Sequence, residues 1–175
     1  MMKLSESKTI NNLREAFLAE GGAYTEYEFY AEQAKTDGYQ QIYRVFNTFA
    51  QNEKAHAEIW FKLYHSISGT EDNLKSAAQL ENYERVKMYA EFSETAKQEG
   101  FNDIADLFTK VGEIERLHEQ TYETFRKKIA DKQVFTSDDE NTVWKCAICG
   151  HEVKGKDAPQ KCPVCSYPQA FFYVK

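Results

Sequence analysis

The sequence predicts a mainly α-helical protein, in which a four-helix bundle is followed by a small module built around four cysteines. Residues 8 to about 131 show helical periodicity with few interruptions, and the second half of this region repeats the pattern of the first. All four cysteines of the 175-residue chain lie in its last 30 residues, as two Cys-x-x-Cys pairs. A chain of this length has room for one ordinary domain and a small second one.

The composition excludes several classes of protein. With 42% hydrophobic and 29% charged residues, the chain has the composition of a folded, water-soluble protein, and its apolar runs are far shorter than the ~20 residues that span a bilayer. The net charge is −6 and no Lys/Arg cluster is interleaved with aromatic residues, which argues against nucleic-acid binding. Residues 1–8 carry no apolar signal segment, so we expect a cytoplasmic protein with no membrane partner.

Three breaks divide the helical region. Two of them contain Gly, at 36–38 and 98–100, and are typical of tight connections in which Gly follows the end of a helix. The third is the polar stretch 66–73. The predicted helices are 9–36, 39–65, 74–98 and 101–131. The predicted domains are the bundle at 1–131, a polar linker at 132–142 and the cysteine module at 143–175.

The bundle contains an internal repeat, in which adding 62 to a residue number gives the position of its counterpart. Gly38 corresponds to Gly100, and Phe46 corresponds to Phe108. The same offset relates a Glu-x-x-His motif in the second helix to one in the fourth. We therefore expect two copies of one helical hairpin, which face each other about a pseudo-twofold axis as a four-helix bundle.

Each Glu-x-x-His motif lies at the centre of an otherwise apolar stripe. Residues three apart lie on the same side of a helix, one turn along, so the carboxylate and the imidazole are expected to point the same way. The stripes are identified by steps of three and four residues, the spacing of a buried helix face. Their members are Ile42, Phe46, Phe49, Glu53, His56, Trp60 and Leu63 in the second helix, and Ile104, Phe108, Val111, Glu115, His118, Tyr122 and Phe125 in the fourth.

The first and third helices add further carboxylates to the predicted core. Glu20 lies among core positions of the first helix, and Glu81 and Glu84 among those of the third. Burying five unpaired carboxylates would cost more than the ~5–15 kcal/mol by which a domain is stable, although a single helical Glu is ordinarily solvent-exposed. Two divalent or trivalent cations would neutralise them. Carboxylates with one His per metal suit iron or manganese, and zinc less well.

The cysteine module has the spacing of a tetrahedral metal site. Cys146 and Cys149 form one pair, and Cys162 and Cys165 form the second after twelve intervening residues. Four thiolates at this spacing bind zinc or iron, and some thirty residues are too few for a core without the metal. A structural zinc ribbon is the simpler alternative. An Fe(Cys)4 centre has the advantage that it would supply electrons to the metals of the bundle.

Taken together, the motifs resemble those of the rubrerythrin family, in which a ferritin-like di-iron bundle is followed by a rubredoxin-like domain. The likeness covers nearly the whole chain. It implies that Glu53 and Glu115 bridge two irons. Glu20 would bind one iron together with His56 or Glu84, exchanged between redox states, and Glu81 and His118 would bind the other. Tyr27 and Tyr89 match tyrosines that line the family's site. The chain departs from many relatives at Ala90, where they have Pro, and at Ser166, where they have Gly.

The resemblance implies a peroxidase that reduces hydrogen peroxide to water in oxidative-stress protection. The di-iron site would carry out the reduction, and electrons would arrive through the Fe(Cys)4 centre. No nucleotide-binding Gly motif is present, so the donor would be external, such as a rubredoxin or an NAD(P)H-dependent reductase. A ferroxidase or iron-storage protein and a peroxide or oxygen sensor are the alternatives. The short connection between the second and third helices, against helices ~40 Å long, predicts a homodimer, with exchange of helix pairs between chains as one form of it.

Overall fold

The computed structural model describes residues 2–65 and 67–175, and the chain divides into two compact units, Met1–Ser68 and Gly69–Lys175. The predicted fold class is confirmed, since the described residues are mainly helical and end in a small three-stranded module that contains the four cysteines. No helix among the described residues is long and apolar enough to cross a membrane.

The first unit is a hairpin of two long helices, α1 (Lys8–Thr36) and α2 (Gln40–Tyr64), preceded by a short 3₁₀ turn (Leu4–Glu6). The connection between them is closed by Gly38, whose φ of 84° is open to glycine at no steric cost. The N–H of Tyr39 donates to the carbonyl of Ala34 at 2.8 Å and satisfies a carbonyl at the helix end. The hairpin connection at 36–38 is therefore confirmed.

The second unit begins with a helical hairpin of the same design. Its first arm consists of α3 (Thr70–Tyr83), a π-helical turn (Glu84–Met88) and α4 (Tyr89–Gln98), and its second arm is α5 (Asn102–Ala130). Gly100 has a φ of 86°, and the N–H of Phe101 donates to the carbonyl of Ala96 at 2.8 Å. The two connections are thus built alike, at equivalent positions of the internal repeat.

The third predicted helix differs from the observed one in two ways. It begins at Thr70 rather than at residue 74, because Gly69 precedes it in extended conformation and Glu71 and Asp72 place negative charge in its first turn. The connection from α2 is therefore five residues long, from 65 to 69, of which Ser66 lies outside the described residues. The same helix is also interrupted by the π turn at Glu84–Met88, which helical periodicity does not predict.

The cysteine module is a small antiparallel sheet in the order β2-β1-β3. Its strands are β1 (Val143–Cys146), β2 (Glu152–Lys154) and β3 (Phe172–Val174). Trp144 is 1% exposed and forms the core with Phe172, Ala158 and two of the cysteines. Phe135 packs against this core from the segment predicted as the linker, and the N–H of Ala158 donates to its carbonyl at 2.9 Å. The domain boundaries at 131 and 143 stay predictions.

The predicted apolar stripes are not fully buried in the single chain. The buried residues of the first hairpin are small ones, Ala31, Ala34, Ala50 and Ala57, which let α1 and α2 approach closely. Several large side chains of the stripes are partly exposed in the single chain, because one neighbouring helix covers only part of an apolar face, and their burial within a bundle stays a prediction. These are Ile42 (46% exposed), Phe49 (51%), Leu63 (54%), Ile104 (46%) and Phe125 (47%).

Candidate metal centre

The first hairpin brings together Glu20 from α1 and Glu53 and His56 from α2. One ligand atom from each lies within 4.8 Å of the others. His56 Nδ1 is 2.9 Å from Glu53 Oε2 and 3.9 Å from Glu20 Oε1. The carboxylate side chains of Glu20 and Glu53 are 29% and 20% exposed, whereas the imidazole is 51% exposed. The three side chains thus converge on one point of the hairpin, as the Glu-x-x-His spacing predicts.

The second hairpin repeats this arrangement with Glu81 from α3 and Glu115 and His118 from α5. Their ligand atoms also lie within 4.8 Å of one another. His118 Nδ1 is 2.7 Å from Glu115 Oε2 and 3.8 Å from Glu81 Oε2, close to the 2.9 Å and 3.9 Å of the first hairpin. The side chain of Glu115 is 12% exposed, compared with 20% for that of Glu53, so it is the more buried of the two Glu-x-x-His carboxylates. Each hairpin therefore carries half of a two-metal ligand set.

The two sets differ electrostatically. Hydrogen bonds from His56 and Glu20 lower the pKa of Glu53. Burial, a hydrogen bond with Glu115 and the charge of Glu115 raise the pKa of Glu81. A carboxylate that is partly buried beside another is costly to ionise unless a cation is present. The second hairpin consequently has the stronger demand for a positive charge.

The π turn carries Glu84 near the second ligand set, although Glu84 is not one of the three residues whose ligand atoms lie within 4.8 Å of one another. Burial first, and the charge of Glu115 second, raise the pKa of Glu84, the first residue of the turn. Burial and the charges of Glu84, Glu115 and Glu81 raise the pKa of Tyr89, which follows the turn. The structure therefore places Glu84 and Tyr89 within electrostatic reach of the second ligand set.

Tyr27 lies on α1 in the position that corresponds to Tyr89 in the repeat. Its ring centroid is 6.1 Å from that of Phe46, as the ring of Tyr89 is 6.0 Å from that of Phe108. Both tyrosines thus pack against the same position of the neighbouring helix. The roles of Tyr27 and Tyr89 beside a metal stay predictions.

The four cysteines form the third candidate metal site. Their sulfur atoms lie within 4.8 Å of one another, with 3.6 Å between Cys146 and Cys165 and between Cys149 and Cys162. Backbone N–H groups of residues 149 and 148 donate to the sulfur of Cys146 and lower its thiol pKa. Those of residues 165 and 164 do the same for Cys162, whose pKa falls to about 6. Burial and the neighbouring sulfurs instead raise the pKa of Cys165 to about 12, so the first cysteine of each knuckle is the one that the backbone prepares as a thiolate, the form that binds metal.

Two glycine-like backbone positions follow the knuckles. Gly150 has a φ of 76°, and Ser166, in the equivalent position after the second pair, has a φ of 65°. Each turn is closed by a hydrogen bond of 2.9 Å, from the N–H of Gly150 to the carbonyl of Cys146 and from the N–H of Ser166 to that of Cys162. The chain therefore keeps the turn at Ser166 despite the left-handed conformation that a side chain disfavours there.

Sequence reasoning misses the residues around the π turn that bind Glu119. The side chain of Asn82 donates to Glu119 Oε1 and that of Arg85 to Glu119 Oε2, both at 2.9 Å. Glu119 directly follows His118, so these contacts tie the turn to the helix that carries the Glu-x-x-His motif. The sequence does contain a signal of the π turn. The residue numbers of Glu20 and Glu81 differ by 61, whereas those of Tyr27 and Tyr89 differ by 62, so the second hairpin has one extra residue between Glu81 and Tyr89.

These features define a class of protein. Paired carboxylate–imidazole sets on helical hairpins suit a non-haem two-iron site, and a tetrathiolate knuckle pair suits a single iron. Residues 11–126 match the family model described as rubrerythrin, and residues 144–173 match the one described as the rubrerythrin rubredoxin-like domain. The chain belongs to the rubrerythrin family.

Named relatives are similar over nearly their whole length. The chain is 37% identical to "Rubrerythrin-1" of Clostridium acetobutylicum, over 99% of this chain and 97% of the relative. It is 37% identical to "Rubrerythrin" of Porphyromonas gingivalis, over 95% of this chain and 89% of that protein. A solved structure described as the fully reduced, all-ferrous state of nigerythrin is 30% identical over 97% of this chain and 87% of that one, with a TM-score of 0.39.

Family membership identifies the metals of the two kinds of site. The chain carries a rubredoxin-like tetracysteine iron site at Cys146, Cys149, Cys162 and Cys165 and a candidate carboxylate–histidine di-iron site. The donor sets agree with this, since oxygen-rich sets with one imidazole suit iron and four thiolates hold it equally well. The predicted cofactors are therefore confirmed.

Proposed function

We propose that the protein is a peroxidase that reduces hydrogen peroxide to two molecules of water, using two protons and two electrons. One observation carries the proposal: a single chain combines carboxylate–histidine ligand sets with a tetracysteine electron-transfer module. Iron in the bundle would supply the electrons at the site, and the tetracysteine iron would return them one at a time. An iron-storage protein has no use for the second module.

The ligand roles follow the two hairpins. Glu53 and Glu115 would bridge the irons. Glu20 would serve one iron with His56 or Glu84, and Glu81 and His118 would serve the other. The distances support one metal for each set, because the three ligand atoms of Glu20, Glu53 and His56, and likewise those of Glu81, Glu115 and His118, lie within 4.8 Å of one another.

Protons would come from Tyr89 and from the Glu84 carboxyl when it is not bound to iron. In the metal-free hairpin, burial and the charge of Glu115 raise the pKa of Glu84, so its carboxyl holds a proton at a higher pH than an exposed Glu does. The Tyr89 phenol, whose pKa is raised by burial and the neighbouring carboxylates, would donate a hydrogen bond to the peroxide. The electrons would come from an external donor, such as a rubredoxin or an NAD(P)H-dependent reductase.

A complete di-iron site would be assembled from two chains. Each hairpin supplies only half of the ligand set, and both leave apolar side chains exposed on the stripes that carry their Glu-x-x-His motifs, including Phe49 in α2 and Ile104 in α5. The internal repeat makes the two hairpin faces alike, so each is suited to cover the other.

The length of the connection from α2 to α3 decides whether both hairpins of a bundle can come from one chain. A ferritin-like bundle needs one crossover that runs the length of the bundle. The 25 residues of α2 extend ~37 Å, whereas the five residues between α2 and α3 bridge at most ~20 Å when fully extended. We therefore propose a homodimer in which each bundle pairs the first hairpin of one chain with the second hairpin of its partner.

The function is tested by rapid mixing of the reduced, iron-loaded protein with hydrogen peroxide or with O₂ under otherwise identical conditions. Oxidation of the di-iron site should be at least ~10-fold faster with peroxide. Faster oxidation by O₂, together with a large multi-subunit particle in size-exclusion chromatography, would identify a ferroxidase instead. A single slow oxidation without continued peroxide consumption would identify a sensor.

A Cys149→Ser variant separates the two metal sites in the same experiment. It should retain oxidation of the di-iron site in the first turnover and lose steady-state turnover with an external donor, because electrons no longer return through the tetracysteine iron. Steady-state turnover equal to that of the unaltered protein would show that the module does not carry the electrons.

A further inference from the structure

The two hairpins are nearly identical in design except around the π turn. With the offset of 62, Glu119 of α5 corresponds to Ala57 of α2. With the offset of 61 that relates Glu20 to Glu81, Asn82 corresponds to Gly21. In the first hairpin these small residues line an open apolar groove with Phe17 and Phe61. A hairpin of this kind therefore forms without a polar contact between its two helices at the position of Glu119.

The change of offset locates one additional residue in the second hairpin. Glu20 and Tyr27 are seven positions apart, whereas Glu81 and Tyr89 are eight apart. The π turn Glu84–Met88 lies within the longer interval. A π turn contains more residues than an α turn, so it accommodates one extra residue. The helix before and after the turn therefore still directs Glu81 and Tyr89 to the same side as Glu20 and Tyr27 in the first hairpin. Glu84 is the first residue of the turn.

The polar contacts of the second hairpin lie on either side of Glu84. Asn82 is two residues before it and Arg85 is the residue after it, and both donate to the carboxylate of Glu119 at 2.9 Å. The side chains of Arg85 and Glu119 are 31% and 23% exposed, so this ion pair is shielded from water more than a surface pair is. It fixes the turn against α5 at the residue that follows His118.

We propose that Glu119, with Asn82 and Arg85, is a positioning residue that holds the π turn so that the Glu84 carboxylate faces the metal centre. This inference rests on the proposed ligand role of Glu84. Without the contact, the turn is free to place the extra residue elsewhere along the helix. The Glu84 carboxylate would then move with it, while Glu81, in the regular helix before the turn, would keep its place.

The test measures metal affinity rather than turnover. The tetracysteine site of the full-length protein is first filled with one equivalent of Zn²⁺. Co²⁺ is then titrated in competition with a chelator, so that its visible absorption reports the oxygen and nitrogen ligands of the bundle. Glu119→Ala, which copies Ala57 of the first hairpin, should weaken Co²⁺ binding to the bundle ~10-fold. In a Glu84→Gln background the same substitution should have no further effect, because the residue through which it acts has already been changed. Glu119→Gln, which keeps an acceptor for Asn82, should recover part of the affinity.

Glu123→Ala is the matched control. Glu123 lies on the same helix and pairs with Arg126 at 2.7 Å, away from the π turn, so its loss should leave the bundle affinity unchanged. If Glu119→Ala does not fold, Asn82→Ala replaces it, because it removes one of the two hydrogen bonds. Its Co²⁺ affinity is then measured with and without Glu84→Gln. An unchanged affinity, or an equal loss with and without Glu84, would overturn the positioning role. Peroxidase activity enters neither measurement, so a failure of the proposed function would be recognised separately.

Discussion

The two helical hairpins show how little has to change for a repeated scaffold to become asymmetric. Both are closed by a glycine in the left-handed conformation, and both hold a Glu-x-x-His pair with a third carboxylate from the neighbouring helix. The distances within the two ligand sets are nearly the same, at 2.9 and 3.9 Å in one and 2.7 and 3.8 Å in the other. The hairpins differ where one extra residue accompanies a π turn, whose first residue, Glu84, lies within electrostatic reach of Glu115. The difference is therefore one local change of backbone that also changes the charge beside the second ligand set.

That difference also affects what a bound cation contributes to each hairpin. In the metal-free first hairpin, hydrogen bonds lower the pKa of Glu53, so its carboxylate is already stabilised. In the second, burial and neighbouring carboxylates raise the pKa values of Glu81 and Glu84, so ionising them is more costly without a cation. A bound metal ion is therefore expected to relieve more repulsion in the second hairpin than in the first.

The largest expected effect concerns whether the two hairpins of one di-iron site come from different chains. Glu53→Ala and Glu115→Ala should each abolish peroxide reduction, by more than ~100-fold, because each removes a proposed bridging ligand. If the bundles exchange hairpins, refolding the two variants together gives heterodimers with one intact site and one doubly altered site. A random equal mixture should then recover about one quarter of the unaltered activity.

The control mixes Glu53→Ala with His56→Ala. Both changes lie in the first hairpin, so no arrangement of chains yields an intact site and the mixture should stay inactive. Recovery in the first mixture alone establishes exchange of hairpins. An inactive first mixture, with dimers confirmed by light scattering, would show that both hairpins of a site belong to one chain.

The second prediction concerns the stability of the metal-free protein as a function of pH. Since the folded-state pKa values of Glu81 and Glu84 are raised, the folded protein binds more protons than the unfolded chain between the usual Glu pKa and those raised values. The free energy of unfolding should therefore fall as the pH rises through this window, and the full penalty should remain at higher pH. Urea unfolding at a series of pH values from mildly acidic to mildly alkaline measures this.

Two variants sharpen that measurement. Glu84→Gln should stabilise the metal-free protein at the upper end of the range and flatten its pH dependence, while weakening metal binding. Glu91→Gln, which changes an exposed carboxylate on the same helical arm, should alter neither. If Glu84→Gln left the pH dependence of the free energy of unfolding unchanged, the repulsion would not arise from the carboxylates of the second hairpin.

The sequence predicts the repeated parts of this molecule better than the asymmetric part. Gly38 and Gly100 mark the hairpin connections because a positive φ favours glycine, and the spacing of the Glu-x-x-His motifs brings their side chains together. The Cys-x-x-Cys spacing likewise predicts knuckles with N–H groups directed at sulfur. Each of these rests on local geometry, which a short stretch of sequence determines.

The remaining features depend on more than local geometry. Counting in steps of three and four assumes a regular helix, so it passes over a π turn unless the two repeats are compared residue by residue. The start of α3 at Thr70 escapes the sequence analysis because Glu71 and Asp72 suit a polar connection as well as a first helical turn. An apolar stripe identifies the face that Phe49 and Leu63 share, but it does not say which chain covers that face.

The smallest expected effect tests how closely the hairpins pack. Gly112 of α5 corresponds to Ala50 of α2, which is fully buried. A Cβ added at Gly112 would lie 3.6 Å from the Cβ of Tyr89, an ordinary van der Waals contact. Gly112→Ala should therefore stabilise the metal-free protein by about 0.5–1 kcal/mol, through the lower backbone entropy of Ala in the unfolded chain. The reverse change, Ala50→Gly, should destabilise by about 1–2 kcal/mol, because it also removes a buried methyl group. Urea unfolding of both variants checks this, and a destabilising Gly112→Ala would show that the second hairpin is packed more tightly against Tyr89 than the first is at Ala50.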